Sequence, residues 1–343
     1  MNPKFAAGPR TAHAPTIGVR IAGTGSAVPE RVLSNADLER IMDTSTEWIE
    51  QRTGILERRI VDPKQEGTYT LTRDALRRAL ESAGMRGGDL DLVVVASCTQ
   101  EMTCPSVACR VAAALGAVPA GAFDVVAACS GFLYALNLAD TLVRSGRHRR
   151  IGVVGCDAMS TVVDYDDRTV SILFGDAAGA VVLEADAEPR RGCVHQVLQA
   201  DGSHWEALYM PRRAHDIPAF DANNPIRLGC LRMNGREVFR FAVSKFREVI
   251  EEALRSTNLT PADVSQFICH QSNIRIIDAA VEKIGLPREK VHVNIDRFGN
   301  SSAGSVGLCL DQLWRAGRIT PGQPMILVAF GGGLTWASSV WNV

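Results

Sequence analysis

Two stretches of the chain, ALESAGMRGGDLDLVVVAS (residues 79–97) and ALRSTNLTPADVSQFICHQ (residues 253–271), align with each other without gaps. Each begins at the end of a helical pattern, crosses a short turn that contains Asp, and continues into an apolar run typical of a buried strand. Because one helix–turn–strand unit occurs twice, the sequence predicts an internal duplication of an α/β unit.

The segments that follow the two stretches support this interpretation. The first half ends with FGDAAGAVVLE from Phe174 and the second with FGGGLTWASSVWNV from Phe330, while acidic, Pro and Arg residues interrupt the apolar pattern at 185–191. We therefore expect an N-terminal half at 17–190 and a C-terminal half at 191–343. Residues 1–16 lack amphipathic periodicity, which favours a disordered tail over a fragment of a transit peptide.

Short apolar runs alternate with longer amphipathic stretches from Ile17 onward, the pattern of an α/β fold. The predicted strands cover residues 19–23, 92–97, 122–126, 151–155, 178–184, 267–270 and 325–330. The predicted helices cover residues 34–42, 69–83, 105–115, 130–145, 235–256, 273–284 and 302–316.

The composition excludes several classes of protein. The 343 residues are 46% hydrophobic and carry 37 basic against 38 acidic side chains, so no global field attracts a nucleic acid or an anionic membrane. No apolar run is long enough to span a membrane. The nine cysteines show no zinc-ligand spacing, and the glycine-rich segments lack the dinucleotide and phosphate-loop patterns. We therefore expect no metal, no cofactor, reduced thiols and a cytoplasmic location.

Three places combine small residues with one chemically able side chain. In AFDVVAACSGFLYAL a strand runs into Cys129 at the start of an apolar helix, where the helix dipole favours a thiolate. In FICHQSNIRIIDAA a strand ends at His270, and in VNIDRFGNSSAGSVGLCL Asn300 precedes a helix rich in small residues. The alternatives are a buried structural Cys, a structural His and an Asn that merely forms a turn.

Taken together, these segments resemble the β-ketoacyl-acyl-carrier-protein synthase III family. The resemblance extends from Ile17 to Val343 through GTGSAVPE, STEWIEQRTGILERR, AACSGF, DRTVSILFGDAAGA, MNGREVF, HQSNIRI, FGNSSAGS and FGGGLTW. It implies the thiolase fold, with duplicated halves in an αβαβα layered arrangement, and a homodimer. It also implies the condensation of an acyl-CoA with malonyl-acyl carrier protein, the reaction that begins fatty-acid synthesis.

The resemblance assigns roles to individual residues. Cys129 would accept the acyl group as a thioester, and His270 and Asn300 would hydrogen-bond the malonyl thioester oxygen as the enolate forms. The backbone N–H groups of Cys129 and Gly332 would form the oxyanion hole for the tetrahedral intermediate.

The same resemblance places the substrates. Trp48 and Arg168 would stack on the adenine of CoA, Arg52 would lie near the nucleotide, and Gly235 and Asn273 would line the pantetheine tunnel. From its local sequence alone, Trp48 is an ordinary core residue of an amphipathic helix.

Two further expectations concern specificity. Arg240, Arg275 and Lys283 fall on predicted helices that flank the cleft, where they would form a basic patch for an acidic carrier protein; the alternative is ordinary solvated charges. Cys104 occupies a position where many family members carry Phe at the end of the acyl pocket, contributed across the dimer. This change predicts room for longer or branched starter chains.

Two other functions stay open. A relative in specialised metabolism would keep Cys129 but transfer the acyl group to a hydroxyl, an amine or another β-keto substrate. A silent subunit that only shapes a partner's pocket would need no nucleophile, so Cys129 argues against it.

Overall fold

The computed structural model describes residues 17–343, so the tail predicted for residues 1–16 lies outside the described part of the chain. The strands are β1 (Gly18–Ala27), β2 (Val32–Ser34), β3 (Glu57–Arg59), β4 (Leu92–Ala96), β5 (Gly121–Val125), β6 (Arg150–Ala158), β7 (Asp176–Asp186), β8 (Gly192–Ala200), β9 (Leu208–Tyr209), β10 (Arg232–Met233), β11 (Gln266–Cys269), β12 (Pro324–Gly331) and β13 (Thr335–Asn342). The α-helices are α1 (Asn35–Glu39), α2 (Thr46–Thr53), α3 (Thr68–Ala83), α4 (Val107–Ala114), α5 (Gly131–Arg144), α6 (Arg168–Ser171), α7 (Gly235–Thr257), α8 (Ile274–Ile284), α9 (Ile295–Phe298) and α10 (Gly304–Arg315).

The two repeated stretches adopt the same local structure. α3 ends at Ala83 and α7 ends at the aligned Thr257. The next residues, Gly84 and Asn258, both adopt the left-handed conformation, with φ of 65° and 55°. Gly and Asn tolerate this conformation best, so both can end a helix. The strands β4 and β11 then begin at aligned residues, which confirms the repeated helix–turn–strand unit.

The strand order of the two main sheets repeats as well. In the first sheet, β4 pairs parallel with β6, and β7 and β1 continue antiparallel; in the second, β11 pairs parallel with β12, and β13 and β8 continue antiparallel. The first sheet adds β5 as a parallel edge strand beside β4. A parallel bridge between Phe267 and Val291 stands at the corresponding edge of the second sheet.

The sheets and helices form five layers. α5 and α10 contact strands of both sheets, α3 and α4 cover the outer face of the first sheet, and α7 covers the outer face of the second, with α8 packed against it. One apolar core surrounds α5 and α10 between the sheets, and two others fill the spaces beneath α3 and α7. This arrangement is the predicted αβαβα architecture.

Small residues let the central helices approach the sheets closely. A Cβ atom added to Gly179 of β7 would lie 2.2 Å from the carbonyl carbon of Gly307 in α10, a distance that no real side chain tolerates. The backbones of strand and helix are therefore in direct contact at this point.

The sequence pattern failed to predict two strands of the second sheet, β8 and β13. β13 (TWASSVWN) carries Ser338 and Ser339 at positions that the structure buries completely. Asn137 of α5 accepts a hydrogen bond from the Ser339 hydroxyl, so a distant partner compensates for burying this polar group. A pattern of local apolar residues contains no sign of that partner.

The predicted helices all exist, although their ends differ by a few residues. α4 begins at Val107 rather than at 105, because the Ser106 side chain caps the helix by accepting from the Cys109 N–H. In residues 17–343 no helix has the length and apolar character needed to cross a membrane.

Candidate active site

Cys129 lies in a tight turn between β5 and α5, in the sequence that runs from the edge of the first sheet into the central layer. Ala128, immediately before it, has a φ of 45°, a conformation that Ala rarely adopts. The Thr335 hydroxyl lies 3.2 Å from the Ala127 carbonyl and 3.1 Å from the Ser130 hydroxyl, so β13 of the other half braces both sides of the turn.

The environment of Cys129 differs from the expectation of a thiolate at a helix start. The side chain is buried, and this burial raises the pKa of the Cys129 thiol to about 12. The Ser302 hydroxyl donates a hydrogen bond to the sulfur over 3.4 Å, which opposes the rise, while the nearby Asp157 carboxylate adds to it. The predicted lowering of the pKa is therefore wrong for this state, because desolvation outweighs the helix start.

His270 follows the last residue of β11 and is almost completely buried. Its Nδ1 lies 2.7 Å from the Ser305 hydroxyl, and its ring meets that of Phe330 edge-on with centroids 5.4 Å apart. Burial lowers the pKa of His270 to about 3, so the imidazole is neutral at physiological pH. Because Nδ1 is occupied, Nε2 is the nitrogen available to a ligand.

Asn300 is held by its own backbone beside the segment that follows α6. Its N–H donates to the Leu173 carbonyl over 2.8 Å, and its carbonyl accepts from the Gly175 N–H over 3.0 Å. The side-chain Oδ1 accepts from the Ser302 N–H over 2.9 Å. With the oxygen occupied, the Nδ2 amino group is the available donor.

The structure brings the three predicted catalytic residues together. Cys129, His270 and Asn300 line one narrow, mainly apolar tunnel of about 80 Å³, and the predicted pantetheine residues Gly235 and Asn273 line the same tunnel.

A second cavity of about 350 Å³ lies on the other side of Cys129 and contains the predicted oxyanion residue Gly332. A Cβ atom added to the adjacent Gly331 would lie 2.7 Å from the Cys129 nitrogen. Only glycine permits so close a contact, so the backbone of the Gly-Gly-Gly turn packs directly against the nucleophile turn. The remaining lining is mostly apolar: Cys98, Val126, Ala127, Ala128, Met159, Phe174, Leu208, Tyr209, Met210, Leu231, Ser302, Gly333 and Thr335.

Trp48 of α2 carries the predicted nucleotide surface. The carbon centres of the Arg52 and Arg168 guanidinium groups lie 6.0 Å and 5.6 Å from the centre of its indole. Its side chain is 37% exposed, which contradicts the alternative of a helix core residue. Asn273 donates to the Arg52 carbonyl over 3.0 Å, so this surface is connected to the tunnel.

The three predicted docking residues do not all lie together. The Arg275 guanidinium lies 5.8 Å from the ring centre of Phe239, which lines the tunnel and precedes Arg240 in α7. Lys283 belongs to the last turn of α8, about 12 Å along the helix from Arg275. Arg236, which the sequence analysis missed, is exposed in the first turn of α7 next to Gly235.

Cys104 is exposed and is not among the residues that line the second cavity within one chain. Sequence reasoning also missed Ser302, Ser305 and Asp157. Asp157 on β6 accepts from the Cys98 N–H over 2.8 Å and from the Ala303 N–H over 3.1 Å, so it ties the Cys98 loop to the start of α10. Only the fold brings these partners near Cys129, so no local motif reveals them.

Comparison with known proteins connects this site to one family. Residues 123–202 match the family model described as 3-oxoacyl-[acyl-carrier-protein] synthase III, and residues 254–343 match the model of its C-terminal part. A β-ketoacyl-[acyl-carrier-protein] synthase III of Caldanaerobacter subterraneus subsp. tengcongensis is 45% identical over 324 residues, which cover 94% of this chain and 97% of that protein. A protein of the same name from Xanthomonas campestris pv. campestris is 46% identical, with coverage of 94% and 97%.

Solved structures show the same similarity in three dimensions. The 3-oxoacyl-[acyl-carrier-protein] synthase III of Aquifex aeolicus superposes with a TM-score of 0.87 at 40% identity, covering 95% of this chain and 100% of that one. The priming β-ketosynthase of the R1128 polyketide pathway superposes with a TM-score of 0.88 at 37% identity, with coverage of 98% and 99%.

Proposed function

The chain belongs to the 3-oxoacyl-[acyl-carrier-protein] synthase III family, and from this premise we propose how its own residues carry the reaction. The enzyme condenses an acyl-CoA with malonyl-acyl carrier protein and initiates fatty-acid synthesis. The observation that carries the assignment of roles is the single tunnel lined by Cys129, His270 and Asn300.

The first half-reaction transfers the acyl group to Cys129. The sulfur attacks the acyl-CoA carbonyl, the bond to the CoA sulfur breaks, and the proton of the Cys129 thiol ends on the released CoA. Backbone N–H groups of Cys129 and Gly332 stabilise the oxyanion. A thiol whose pKa is about 12 reacts slowly in the empty site, so the bound thioester and its oxyanion donors supply the driving force.

The second half-reaction forms the carbon–carbon bond. Malonyl-acyl carrier protein loses carbon dioxide, and the electron pair left behind forms an enolate whose charge lies on the thioester oxygen. His270 Nε2 and Asn300 Nδ2 donate hydrogen bonds to that oxygen. The enolate carbon attacks the acyl-Cys129 carbonyl, and the tetrahedral intermediate expels the Cys129 thiolate, which takes a proton from solvent.

A neutral His270 suits this role better than a charged one. Because burial lowers the pKa of His270 to about 3, the ring donates a hydrogen bond without titrating between pH 5 and pH 8. The contact of Nδ1 with the Ser305 hydroxyl orients the ring and leaves Nε2 to face the ligand.

Two substrate-binding roles follow from the same tunnel. Trp48, Arg52 and Arg168 bind the adenine nucleotide of CoA, and the pantetheine arm passes Gly235 and Asn273 to reach Cys129. Arg275, which lies beside Phe239 of the tunnel, binds the acidic carrier protein together with Arg240 and the exposed Arg236, whereas Lys283 contributes at longer range.

The second cavity leaves room for a starter group longer than acetyl. The second cavity, of about 350 Å³, adjoins Cys129 and is mostly apolar, and a two-carbon acyl group would fill only a small part of it. The cavity also extends to Val126, which is 70% exposed at the end of β5, so a partner subunit would complete its wall.

A homodimer joined along β5 supplies that partner. β5 is the edge of its sheet, Phe123 is exposed on it, and Val126 and Cys104 are exposed nearby. An apolar edge strand with unpaired backbone groups pairs readily with a second copy. We also propose that the chain divides into two halves between residues 190 and 191. The location is cytoplasmic, since all nine cysteines are unpaired, as a reducing compartment would keep them.

The similarity to the R1128 priming β-ketosynthase favours a second candidate, in which the same condensation begins a polyketide chain. Transfer to a hydroxyl or an amine needs no enolate, so the presence of both His270 and Asn300 beside Cys129 argues against that acceptor.

Mass spectrometry of the intact protein tests the roles. Incubation with acyl-CoA gives a covalent acyl adduct in the natural enzyme, in His270→Ala and in Asn300→Ala, but none in Cys129→Ala. Loss of one oxyanion donor costs about 10²- to 10³-fold, so His270→Ala and Asn300→Ala lose malonyl decarboxylation by that factor. An adduct that persists in Cys129→Ala, or near-normal condensation by both other variants, would refute the assignment.

A further inference from the structure

Arg58 of β3 is completely buried, and none of the roles above explains it. Its Nη1 donates to the Leu33 carbonyl over 3.1 Å and to Asn35 Oδ1 over 2.9 Å, and its Nη2 donates to the Ile172 carbonyl over 2.7 Å. These acceptors are all neutral oxygens. Among the described residues, its Nε has no hydrogen-bond partner.

This arrangement costs more folding free energy than a purely structural role would justify. Burial lowers the pKa of Arg58 to about 10, so the guanidinium is still a cation at neutral pH. A buried charge is ordinarily matched by an opposite charge, because neutral oxygens compensate poorly for lost hydration. What the planar guanidinium does offer is a rigid fork that reaches two separate backbone segments at once.

One of those two segments holds Asn300. Ile172, whose carbonyl accepts from Arg58, directly precedes Leu173, the residue whose carbonyl accepts the Asn300 N–H over 2.8 Å. Two residues later, the Gly175 N–H donates to the Asn300 carbonyl over 3.0 Å. The segment 172–175 therefore connects the guanidinium to the backbone of Asn300 through consecutive hydrogen bonds.

The stem of Arg58 contacts the same region. A Cβ atom added to Gly175 would lie 2.9 Å from the Arg58 Cβ, and one added to Gly299 would lie 3.2 Å from it. Gly175 and Gly299 flank the bridge between Phe174 and Asn300. The side chain thus fills the space directly behind that bridge, while Phe174 faces the tunnel.

We propose that Arg58 is a positioning residue for the decarboxylation half-reaction, which fixes the segment 172–175 so that the Asn300 amide points at the thioester oxygen. The inference rests on the role proposed for Asn300. Cys129 is braced by Thr335, Ser302 and Gly331, none of which contacts Arg58. Loss of Arg58 therefore affects the second half-reaction much more than the first, which it reaches only indirectly through Phe174 and Ser302.

The test compares the two half-reactions in Arg58→Lys and Arg58→Met. Single-turnover acylation of Cys129 by acyl-CoA stays within about two-fold of the natural rate. Decarboxylation of malonyl-acyl carrier protein by the acylated enzyme falls by about 10²-fold in Arg58→Met, since displacement of a catalytic group by about 1 Å has an effect of that size. The loss appears in kcat with little change in KM. Arg58→Lys keeps part of the decarboxylation rate, because Lys retains the positive charge but has one ammonium group in place of the forked guanidinium.

Two further variants separate positioning from stability. Arg144, at the junction of α5 and β8, is another largely buried arginine that donates to several backbone carbonyls. Arg144→Met is therefore the matched control: it should destabilise the protein without changing the ratio of the two half-reaction rates. Asn35→Ala removes one of the three acceptors of Arg58 and gives a smaller shift of the ratio in the same direction, which decides the question if Arg58→Met does not fold.

Asn300→Ala, measured alongside, distinguishes the two levels of the proposal. If Asn300→Ala loses decarboxylation while the Arg58 and Asn35 variants keep the natural ratio, the role of Arg58 is refuted and that of Asn300 stands. If Asn300→Ala decarboxylates normally, both fail. An equal ratio change in Arg144→Met would also overturn the inference.

Discussion

Burial keeps both Cys129 and His270 uncharged in the empty site. The thiol has a raised pKa and the imidazole a lowered one, and in each case the cause is the loss of water around the side chain. The site therefore holds no fixed charge pair between these two residues. In the mechanism proposed above, it instead presents neutral donors to an oxyanion that exists only during the reaction, which is the arrangement expected for stabilising a transition state rather than a substrate.

This state of His270 has a consequence for acid stability. An unfolded His binds a proton near pH 6.5, whereas the folded His270 binds one only near pH 3. Between these values the unfolded chain holds the extra proton, so stability is lost as the pH falls below about 6.5. We expect His270→Gln to remove this loss, which approaches about 1.4 kcal/mol per pH unit in that window.

Urea unfolding of the natural enzyme and of His270→Gln between pH 4.5 and pH 8 measures the effect. Asp176, whose pKa burial raises to about 6, titrates in the same range with the opposite sign, but it is present in both proteins and cancels in the difference. Parallel stability curves would contradict the prediction.

Three of the residues that line the tunnel, Cys129, His270 and Asn300, could be singled out from sequence because each stands in a short motif of its own. No such motif marks the residues that support them, Ser302, Ser305 and Asp157. Each of these acts on a residue that is remote in sequence or reached only through the fold. Ser305 is thirty-five positions from His270, and Ser302 lies 173 positions from Cys129. The pKa of Cys129 was mispredicted for a related reason: the helix start is a local feature, and burial is a property of the whole fold.

At the level of elements, β5 is the strand without a counterpart among the named strands of the second sheet. Its free edge and exposed Phe123 predict that an edge charge prevents pairing with a second copy. We expect Phe123→Lys to convert a dimer into a monomer, as measured by analytical ultracentrifugation.

Leu198→Lys is the matched control for this change, because Leu198 is an exposed apolar residue on β8, the edge strand of the other sheet. A Phe123→Lys protein that stays dimeric, or a natural enzyme that is monomeric, would exclude the β5 interface.

The helix α8 presents Arg275 beside Phe239, a residue of α7 that lines the tunnel. Arg275→Glu reverses a charge beside Phe239, so it should raise the KM for malonyl-acyl carrier protein several-fold, more strongly at low salt than at high salt, with little effect on acyl-CoA.

Arg77→Glu makes the same charge change on α3, on the outer face of the first sheet, and should leave that KM unchanged. Steady-state kinetics at two salt concentrations measure both variants. An unchanged KM for Arg275→Glu at low salt would remove this residue from the docking surface.

At the scale of the whole molecule, the apolar pattern predicted the duplicated α/β unit, and the resemblance to the synthase III family implied the layered arrangement of its two copies. The sequence did not predict β8 or β13, because polar residues interrupt their apolar pattern; the partner of Ser339, for example, is Asn137 of the central layer. Nor did it predict the second cavity, whose walls come from residues 98–335 and meet only in the assembled fold.

The homodimer proposed above predicts that a partner subunit helps to determine the starter chain. If Cys104 of one subunit closes the cavity of the other, Cys104→Phe should shift the preference from octanoyl- and isobutyryl-CoA towards acetyl-CoA, since each buried methylene contributes at most about 0.8 kcal/mol.

Cys104→Ser keeps the volume and removes the thiol, so its chain-length profile should match that of the natural enzyme. Competition among acyl-CoAs, read by the mass of the acylated protein, measures the chain-length profile of the natural enzyme and of both Cys104 variants. A natural enzyme restricted to acetyl-CoA, or an unchanged profile in Cys104→Phe, would show that Cys104 does not limit the pocket.

The brace from Thr335 to the Cys129 turn also orders events during protein synthesis. The nucleophile is made early, but β12 and β13, which carry Gly331 and Thr335, follow every other described element in the chain. A nascent chain on the ribosome that lacks these last two strands therefore carries Cys129 without Gly331 and Thr335, the residues that hold its turn. We therefore expect acyl-CoA to acylate only a polypeptide whose two halves have already docked.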